Sequence, residues 1–598
     1  MDVNAGMPDP NQPTYGEGNG PKGDPRMRKH GAKANGNKPR FIVDLAPIQQ
    51  RAAALKTEGL SKWYPMWKDV SKYIIPTRGF FEGMMPNWGT RIDHKLVMSS
   101  EPMKAVGALA SGMQSGLTNP STPWFRLEVD DDEAMMDEAG KEWLELATGK
   151  VRAAFRDSNV YGALYSMYEE TPSFGTHAFI VLKDFKTAVR ARTFTCGEYF
   201  IGCGADGRVN AFHRFYWITA GQLVEEFGYE NCSGMVQAEY DNNTLDTWHQ
   251  VYHLIEPNDA RIPGLKDARN MAFRSVYWES SVQGNNRALL ISGFEENPVI
   301  AARWDVTTTA DAYGKGPGWT VMGDVKMLYK MVKKFLEALD KVVDPPVVAD
   351  SSTIVNTLPG GLSRTSGNNP NGGLKPAYEI KPDLPAIQNA IKWVEDKVKT
   401  SFFVNFFLMV SQTSKDMTAE EVIQRKSEQV LMLGPIIHRL SSEGFAPLIE
   451  RTFNILVRAR AIPPPPPSIA GRPIKIKYIS MLAQAQEMAE TSIIEQFGKF
   501  VGSIAPTKPE VLDNVDFDEM VRNYAAKIGV PAKILTNPQM MAQLRAARDK
   551  QQQTAATAQN AAAAAQTGKV LADTPVGGGS ALAQILAGGA PPPGGGAA

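Results

Sequence analysis

The chain has 598 residues, 43% of them hydrophobic, with 64 Lys+Arg against 64 Asp+Glu. At about 150 residues per domain this length predicts roughly four domains, and the apolar content excludes a wholly disordered chain and a small disulfide-stapled one. Three cysteines, Cys196, Cys203 and Cys232, are odd in number and sparse, which points to a reducing folding compartment. Zero net charge argues against a protein whose main task is gripping DNA along its phosphates, since that task calls for a basic surplus.

Residues 1–40 hold seven Gly, six Pro and five Asn with no apolar run, so they predict a disordered arm and no export signal. The arm carries seven basic residues against four acidic ones, which permits contact with nucleic acid; low complexity explains the composition equally well. From Leu45 to Ile75 the spacing of Trp63, Trp67 and Val70 is helical, and Pro76 stops it. Ser99 or Ser100 caps a helix with Pro102 in its first turn, ending near Gly116. A strand over Trp124–Val129 and helices over about 133–156 and 161–170 follow. The period then becomes two, with strands at 178–182, 188–194, 198–201, 209–218, 247–255, 271–278 and 288–291 and a short helix over 219–227. This is an α+β region and not a repeating βαβ array.

Beyond it the chain is mostly helical. Val325, Leu328, Val332, Phe335, Leu339 and Val342 are spaced 3, 4, 3, 4 and 3, a heptad-like seam; Asp324 is placed to cap that helix and Asp344-Pro345-Pro346 ends it. After a Gly-, Pro- and Asn-rich excursion over 344–383, Asp383 opens a second helix whose Ile387, Ile391, Val394 and Val398 are spaced 4, 3 and 4. Two seamed helices around a small module predict a stalk with something at its tip. An apolar run over 402–410 leads to the polar loop Ser411, Gln412, Thr413, Ser414, Lys415, Asp416. Thr418 with Glu421 has capping-box spacing at the start of a long helix to about Arg460, disturbed at Gly434-Pro435 and Gly444 with a kink predicted near Pro435. Five prolines, Pro463 to Pro467, stop it. A strand at 474–478, a helix over 480–504, and helices in 517–550 opened by Asp516 with Glu519 complete the ordered chain. Residues 551–598, with 15 Ala and 9 Gly, predict a flexible tail that is helical only around Ala561–Ala565.

Chemical motifs are few. Gly202-Cys203-Gly204-Ala205-Asp206-Gly207 fits a dinucleotide fingerprint, but a strand follows instead of a helix, so Ala205-Asp206-Gly207 predicts a hairpin turn. The cysteines with His213 lack metal-ligand spacing and predict buried thiols. No phosphate loop, zinc-protease helix or nucleophile elbow occurs. The longest apolar run, Phe402 to Val410, is about half a membrane span. Catalytic, cofactor and metal residues are therefore predicted as none, and the chain as no enzyme.

Several stretches together resemble the portal, or head-to-tail connector, proteins of short-tailed bacteriophages. They are Trp67-Lys68-Asp69-Val70-Ser71-Lys72-Tyr73-Ile74-Ile75-Pro76-Thr77-Arg78; Leu109 to Pro120 leading to Pro123-Trp124-Phe125; Ser158-Asn159-Val160-Tyr161; and Phe174-Gly175-Thr176. Then come Tyr313-Gly314-Lys315-Gly316-Pro317-Gly318, Asp344-Pro345-Pro346, Met417 to Val422 and Leu433-Gly434-Pro435. Their shared order spans roughly residues 45–530. The departures are Lys315, where the family pattern has arginine, and Glu420, where it often has threonine.

The resemblance implies an α+β portal fold assembled as a ring of about twelve subunits around a channel for double-stranded DNA. It implies a wing over 41–320 and 418–510, stem helices over 321–343 and 384–401, a clip over 344–383, a strand and channel loop over 402–417, and a helical crown over 511–550. Ser411 to Asp416 become channel-loop candidates, with Lys415 facing the channel, and the two seams become the stem. DNA contact is weak and non-specific. Implied partners are the terminase large subunit during packaging, major capsid and scaffolding proteins, tail adaptor and nozzle proteins, and internal core or ejection proteins. The implied place is the virion's portal vertex between capsid and tail, after assembly in the host bacterial cytoplasm. Another ring-forming head-completion or tail adaptor protein is the competing reading; it would lack the helix–clip–helix stalk.

Overall fold

The computed structural model describes residues 44–81, 97–129, 138–262, 264–265, 267–280, 287–348, 355–356, 375–376, 382–405, 433–479, 494–504, 506, 508, 510, 515–528, 538–573, 575–576 and 579–580. The chain divides into two compact units, 1–486 and 487–598.

The first unit begins with α1 (Ala46–Lys62) and α2 (Tyr64–Tyr73). The helical pattern predicted over 45–75 breaks between them at Trp63, because Pro65 cannot donate to the preceding turn and fits only at a helix start. Trp63, Trp67, Tyr313 and Trp319 form an aromatic cluster with centroids 4.9–6.5 Å apart. In α3 (Glu101–Leu117) Pro102 occupies the first turn, and Ser99 Oγ accepts from the Glu101 amide at 3.3 Å.

β1 (Phe125–Val129) alternates in burial and pairs with a strand from the far side of the sequence, Phe125 opposite Tyr478 and Val129 opposite Ile474. Next are α4 (Glu138–Asp157) and α5 (Val160–Phe174), the latter four residues longer than its predicted end at Glu170. β2 (Thr176–Asp184) and β3 (Ala188–Phe194) form a hairpin. β3 is an edge strand, and Asn159 closes it as another strand would: its amide donates to the Ala191 carbonyl (2.7 Å) and accepts from the Ala191 N–H (2.9 Å).

A five-stranded antiparallel sheet follows the order β4 (Tyr199–Cys203), β5 (Val209–Thr219), β6 (Trp248–Pro257), β7 (Phe273–Glu279), β8 (Leu290–Phe294). The Gly-x-Gly-x-x-Gly stretch is the β4–β5 hairpin, with Gly204 N–H donating to Arg208 O and Gly207 at φ +75°. Between β5 and β6, α6 (Ala220–Phe227) starts with a full capping box of Thr219 and Gln222, and α7 (Gly234–Asp241) is capped by Ser233. β9 (Val299–Arg303), which its short apolar run did not announce, completes the sheet β3-β2-β9. After the turn α8 (Pro317–Thr320) comes α9 (Met322–Val343), then the two-residue strands β10 (Val347–Val348) and β11 (Lys375–Pro376), paired antiparallel, and α10 (Leu384–Ser401).

Residues 433–458 form one helical run interrupted by a π turn at Ser441–Phe445; the preceding turn, where a kink at Pro435 would fall, lies outside the described residues. Pro447 explains the position, for it has no N–H to give Glu443 O and its ring crowds that carbonyl, so the helix widens one turn earlier. β12 (Ile474–Tyr478) then returns to β1.

In the second unit, Asp516 Oδ1 accepts from the amides of Asp518 and Glu519, both at 3.0 Å, and opens Phe517–Ile528. A 36-residue helix, Pro538–Asp573, carries helix well past 561–565 into the range predicted as tail. Alanine and glutamine are strong helix formers, and glycine is frequent only after Asp573.

One crossing fixes how α9 leaves the core. Gly175 ends α5 at φ +90°, and a Cβ there would lie 2.0 Å from Gly314 O; a Cβ on Gly316 would lie 2.2 Å from Pro172 O. The strap 314–318 therefore passes backbone against backbone over the end of α5. It is held by Gly314 N–H to Thr176 Oγ1 (2.8 Å) and Lys315 N–H to Asp305 O (2.7 Å), while Trp304 N–H binds Gly175 O (2.9 Å) beside it. Gly175→Ala is expected to destabilise the fold by more than ~1 kcal/mol, because alanine is disfavoured at φ +90° and its methyl also meets Gly314. Urea unfolding checks this against Gly162→Ala, a helical control whose new methyl meets nothing within 4 Å and whose stability is expected to be unchanged or raised.

Candidate functional site: the projecting helix pair and its anchorage

α9 and α10 carry the two seams. Their lower ends are core: Val325, Leu328, Val394 and Val398 are fully buried, and Val332 and Ile391 pack partly buried against them. Phe335, Leu339 and Ile387 are half-buried, and Val342 is exposed. Toward the tip the apolar residues open to solvent, with Leu336 49% and Val343 82% exposed. Burial thus tapers from a packed base to a bare tip. Asp383 caps α10 through the Ala386 amide (3.0 Å). On α9 the cap position falls on Val321, so Asp324, predicted as the cap, sits in the first turn and favours the helix through its dipole instead.

Polar contacts seat the base. Lys326 pairs with Asp69 (2.6 Å), Lys397 reaches Asp324 (4.0 Å), and Lys399 reaches Glu101 (3.6 Å). Exposed pairs of this kind contribute little each, and their value is geometric. The Tyr329 hydroxyl lies 2.7 Å from Tyr73 O and 3.2 Å from Ser99 O, and burial raises its pKa to about 12. Burial, with Glu101 nearby, also raises the Glu395 carboxyl.

A second anchor holds the π turn. Arg303 on β9, buried, donates its Nε (3.0 Å) and an Nη (2.6 Å) to the Glu443 carboxylate, which also takes the Arg303 backbone N–H (3.1 Å). The remaining guanidinium donors go to the carbonyls of Asp311 (2.7 Å) and Gly207 (2.8 Å) and to Cys203 Sγ (3.4 Å), and Tyr478 donates to Ser441 O (3.1 Å). Removing one member of such a pair would strand a buried charge at a cost of about 3–5 kcal/mol. One arginine thus ties β9, the β4–β5 hairpin and the long helix together. Arg78 plays a similar part after α2, contacting Glu169 (2.5 Å) and the fully buried Glu170 (3.7 Å).

The predicted channel-loop residues Ser411 to Asp416 lie outside the described residues, as do Thr418 and Glu421. Sequence reasoning missed Arg303, Glu443 and Trp393. The first two lie 140 residues apart, and no local pattern links them. Trp393 was legible as a large aromatic on the polar side of a seamed helix.

Among the described residues no group of three or more His, Cys, Asp or Glu could hold a metal ion. All three cysteines are free, Cys196 and Cys232 are buried, and burial raises both thiols. His213 is buried between Phe200, Tyr252 and Trp278, with Nδ1 3.1 Å from His253 O. His253 stacks on Tyr277, takes a bond from Arg214 Nε (3.2 Å) and lies 2.9 Å from Ser275 Oγ. No helix among the described residues is long and apolar enough to cross a membrane.

The described elements make an α+β body with a helix pair whose exposure rises toward its tip. The family profile described as "Bacteriophage head to tail connecting protein" matches residues 45–535. The chain is 38% identical over 512 residues to a probable portal protein of Bordetella phage BPP-1, covering 85% of this chain and 92% of that protein. It is 34% identical over 546 residues to the portal protein of Salmonella phage epsilon15, covering 90% and 96%. A chain from the virion of a native gene transfer agent particle is matched at 9% identity and a TM-score of 0.32, covering 75% of this chain and 94% of that one, too distant to bear on the fold. The chain therefore belongs to the portal, or head-to-tail connector, family of tailed bacteriophages. It acts as a structural portal protein in DNA packaging and docking at the capsid vertex, and not as an enzyme.

The buried histidines make a pH prediction. Burial lowers His213 to about 4 and His253 well below its ordinary value, so between about pH 6.5 and 4 the unfolded chain binds protons that the fold refuses. Stability is then full above about pH 6.5 and falls by about 1.4 kcal/mol per pH unit for each such histidine as pH drops. Thermal unfolding across pH 7 to 4.5 is expected to show a shallower decline for His213→Phe than for the parent chain. Equal slopes would contradict this.

Proposed function

We propose that the chain assembles as a ring of about twelve copies at the unique capsid vertex, enclosing the channel through which double-stranded DNA enters during packaging and leaves during ejection. The observation that carries this is the α9–α10 pair, packed at its base, bare toward its tip and directed out of the core by the glycine crossing. In this reading residues 41–320 and 418–510 are the wing, α9 and α10 the stem, 344–383 the clip and 511–550 the crown. Ser411 to Asp416 face the channel, with Lys415 as the side chain nearest DNA.

The balance of 64 basic against 64 acidic residues supports weak, sequence-independent contact with DNA, because each phosphate neutralised adds to the binding that a sliding duplex must break. The clip meets the terminase large subunit during packaging, and the tail adaptor and nozzle proteins afterwards. The wing and crown meet major capsid and scaffolding proteins, and internal core or ejection proteins. Assembly takes place in the host bacterial cytoplasm.

Electron microscopy of the purified protein tests the assembly. End-on views are expected to show rings with an axial hole, and side views a narrower stalk. Monomers or small dimers persisting across salt and protein concentration would refute it.

A further inference from the structure

Trp393 lies two positions past the seam residue Ile391, on the side of α10 turned from α9, and stays 57% exposed although Lys397 Nζ stands 3.8 Å from its ring centroid. One face of the indole is thus covered by a cation and the rest is open, a costly way to leave the largest apolar side chain. The outer side of α9 carries Met327, Lys330, Lys334 and Lys341, spaced 3, 4 and 7, all exposed. Lys397 and Asp324 set the register of this antiparallel pair. Moving four residues toward the tip from each, at about 1.5 Å per residue, brings Trp393 level with Leu328, hence with Met327 and Lys330 on the opposite outer face.

The two outer faces differ and point in opposite directions. A two-fold dimer would bury one of them against itself and leave the other bare, whereas a head-to-tail array buries each against the other at one height. Their chemistry matches. An indole face attracts an ammonium group and packs on aliphatic stems, and Asp396, 73% exposed on the same side of α10, offers the lysines a carboxylate. We propose that Trp393 anchors the contact between neighbouring copies of this chain in the stem, packed on Met327 and Lys330 of the next copy. This rests on the ring assembly proposed above.

A paired-cysteine variant tests it. Trp393→Cys with Met327→Cys, oxidised in the assembled protein, is expected to give a ladder of covalent oligomers on a non-reducing gel that collapses with reductant, while each single variant gives none. One hairpin cannot close this bond on itself, since the two positions lie on opposite outer faces. Rings in the microscope with only monomer on the gel would overturn the contact and leave the ring standing. A parent chain that forms no ring would overturn both. If the double variant does not assemble, Trp393→Ala is expected to lower the urea midpoint for ring dissociation and Trp393→Phe to restore most of it. Equal midpoints for all three would overturn the contact.

Discussion

The backbone crossing of residues 314–318 over the end of α5 is the constraint on which the rest of the molecule depends. With no side chain between them, Gly175 and Gly314 let two segments touch where any Cβ would force them apart. The strap is fastened at Thr176 and Asp305, and α9 begins a few residues later. The direction of a 22-residue helix is thereby set by a backbone-to-backbone contact in the core. The aromatic cluster around Tyr313 seals the same junction from the α1–α2 side, and Tyr329 ties the first turns of α9 to the end of α2.

Arg303 does for the long helix what the glycine crossing does for α9. Both anchors use β2 or β9 of one small sheet, so the two helical elements that leave the body are referenced to a shared frame. A connector must hold its shape while a polymer moves past it, and buried backbone contacts with a fully bonded arginine resist that motion better than exposed ion pairs.

Where local chemistry decided the outcome, the sequence was readable. α9 stops at Asp344-Pro345-Pro346 and α10 opens at Asp383, as expected, because a proline and a capping carboxylate act within one turn. The Gly204–Gly207 turn was legible for the same reason. Long-range packing was not. α5 continues through Pro172 because Gly175, and not the proline, ends it. The π turn sits by Pro447, where Arg303, Tyr478 and the carbonyl-crowding proline combine. β9 has too short an apolar run to stand out without its partner β2. The family resemblance came from the order of segments, two of which, Phe174–Thr176 and Tyr313–Gly318, meet at the crossing.

The most direct test of the central role is DNA packaging in cells infected by a phage lacking this chain, with the chain supplied from a plasmid. Heads made without it are expected to hold no genome, and the plasmid copy is expected to restore filled heads. Filled heads in its absence would contradict the account.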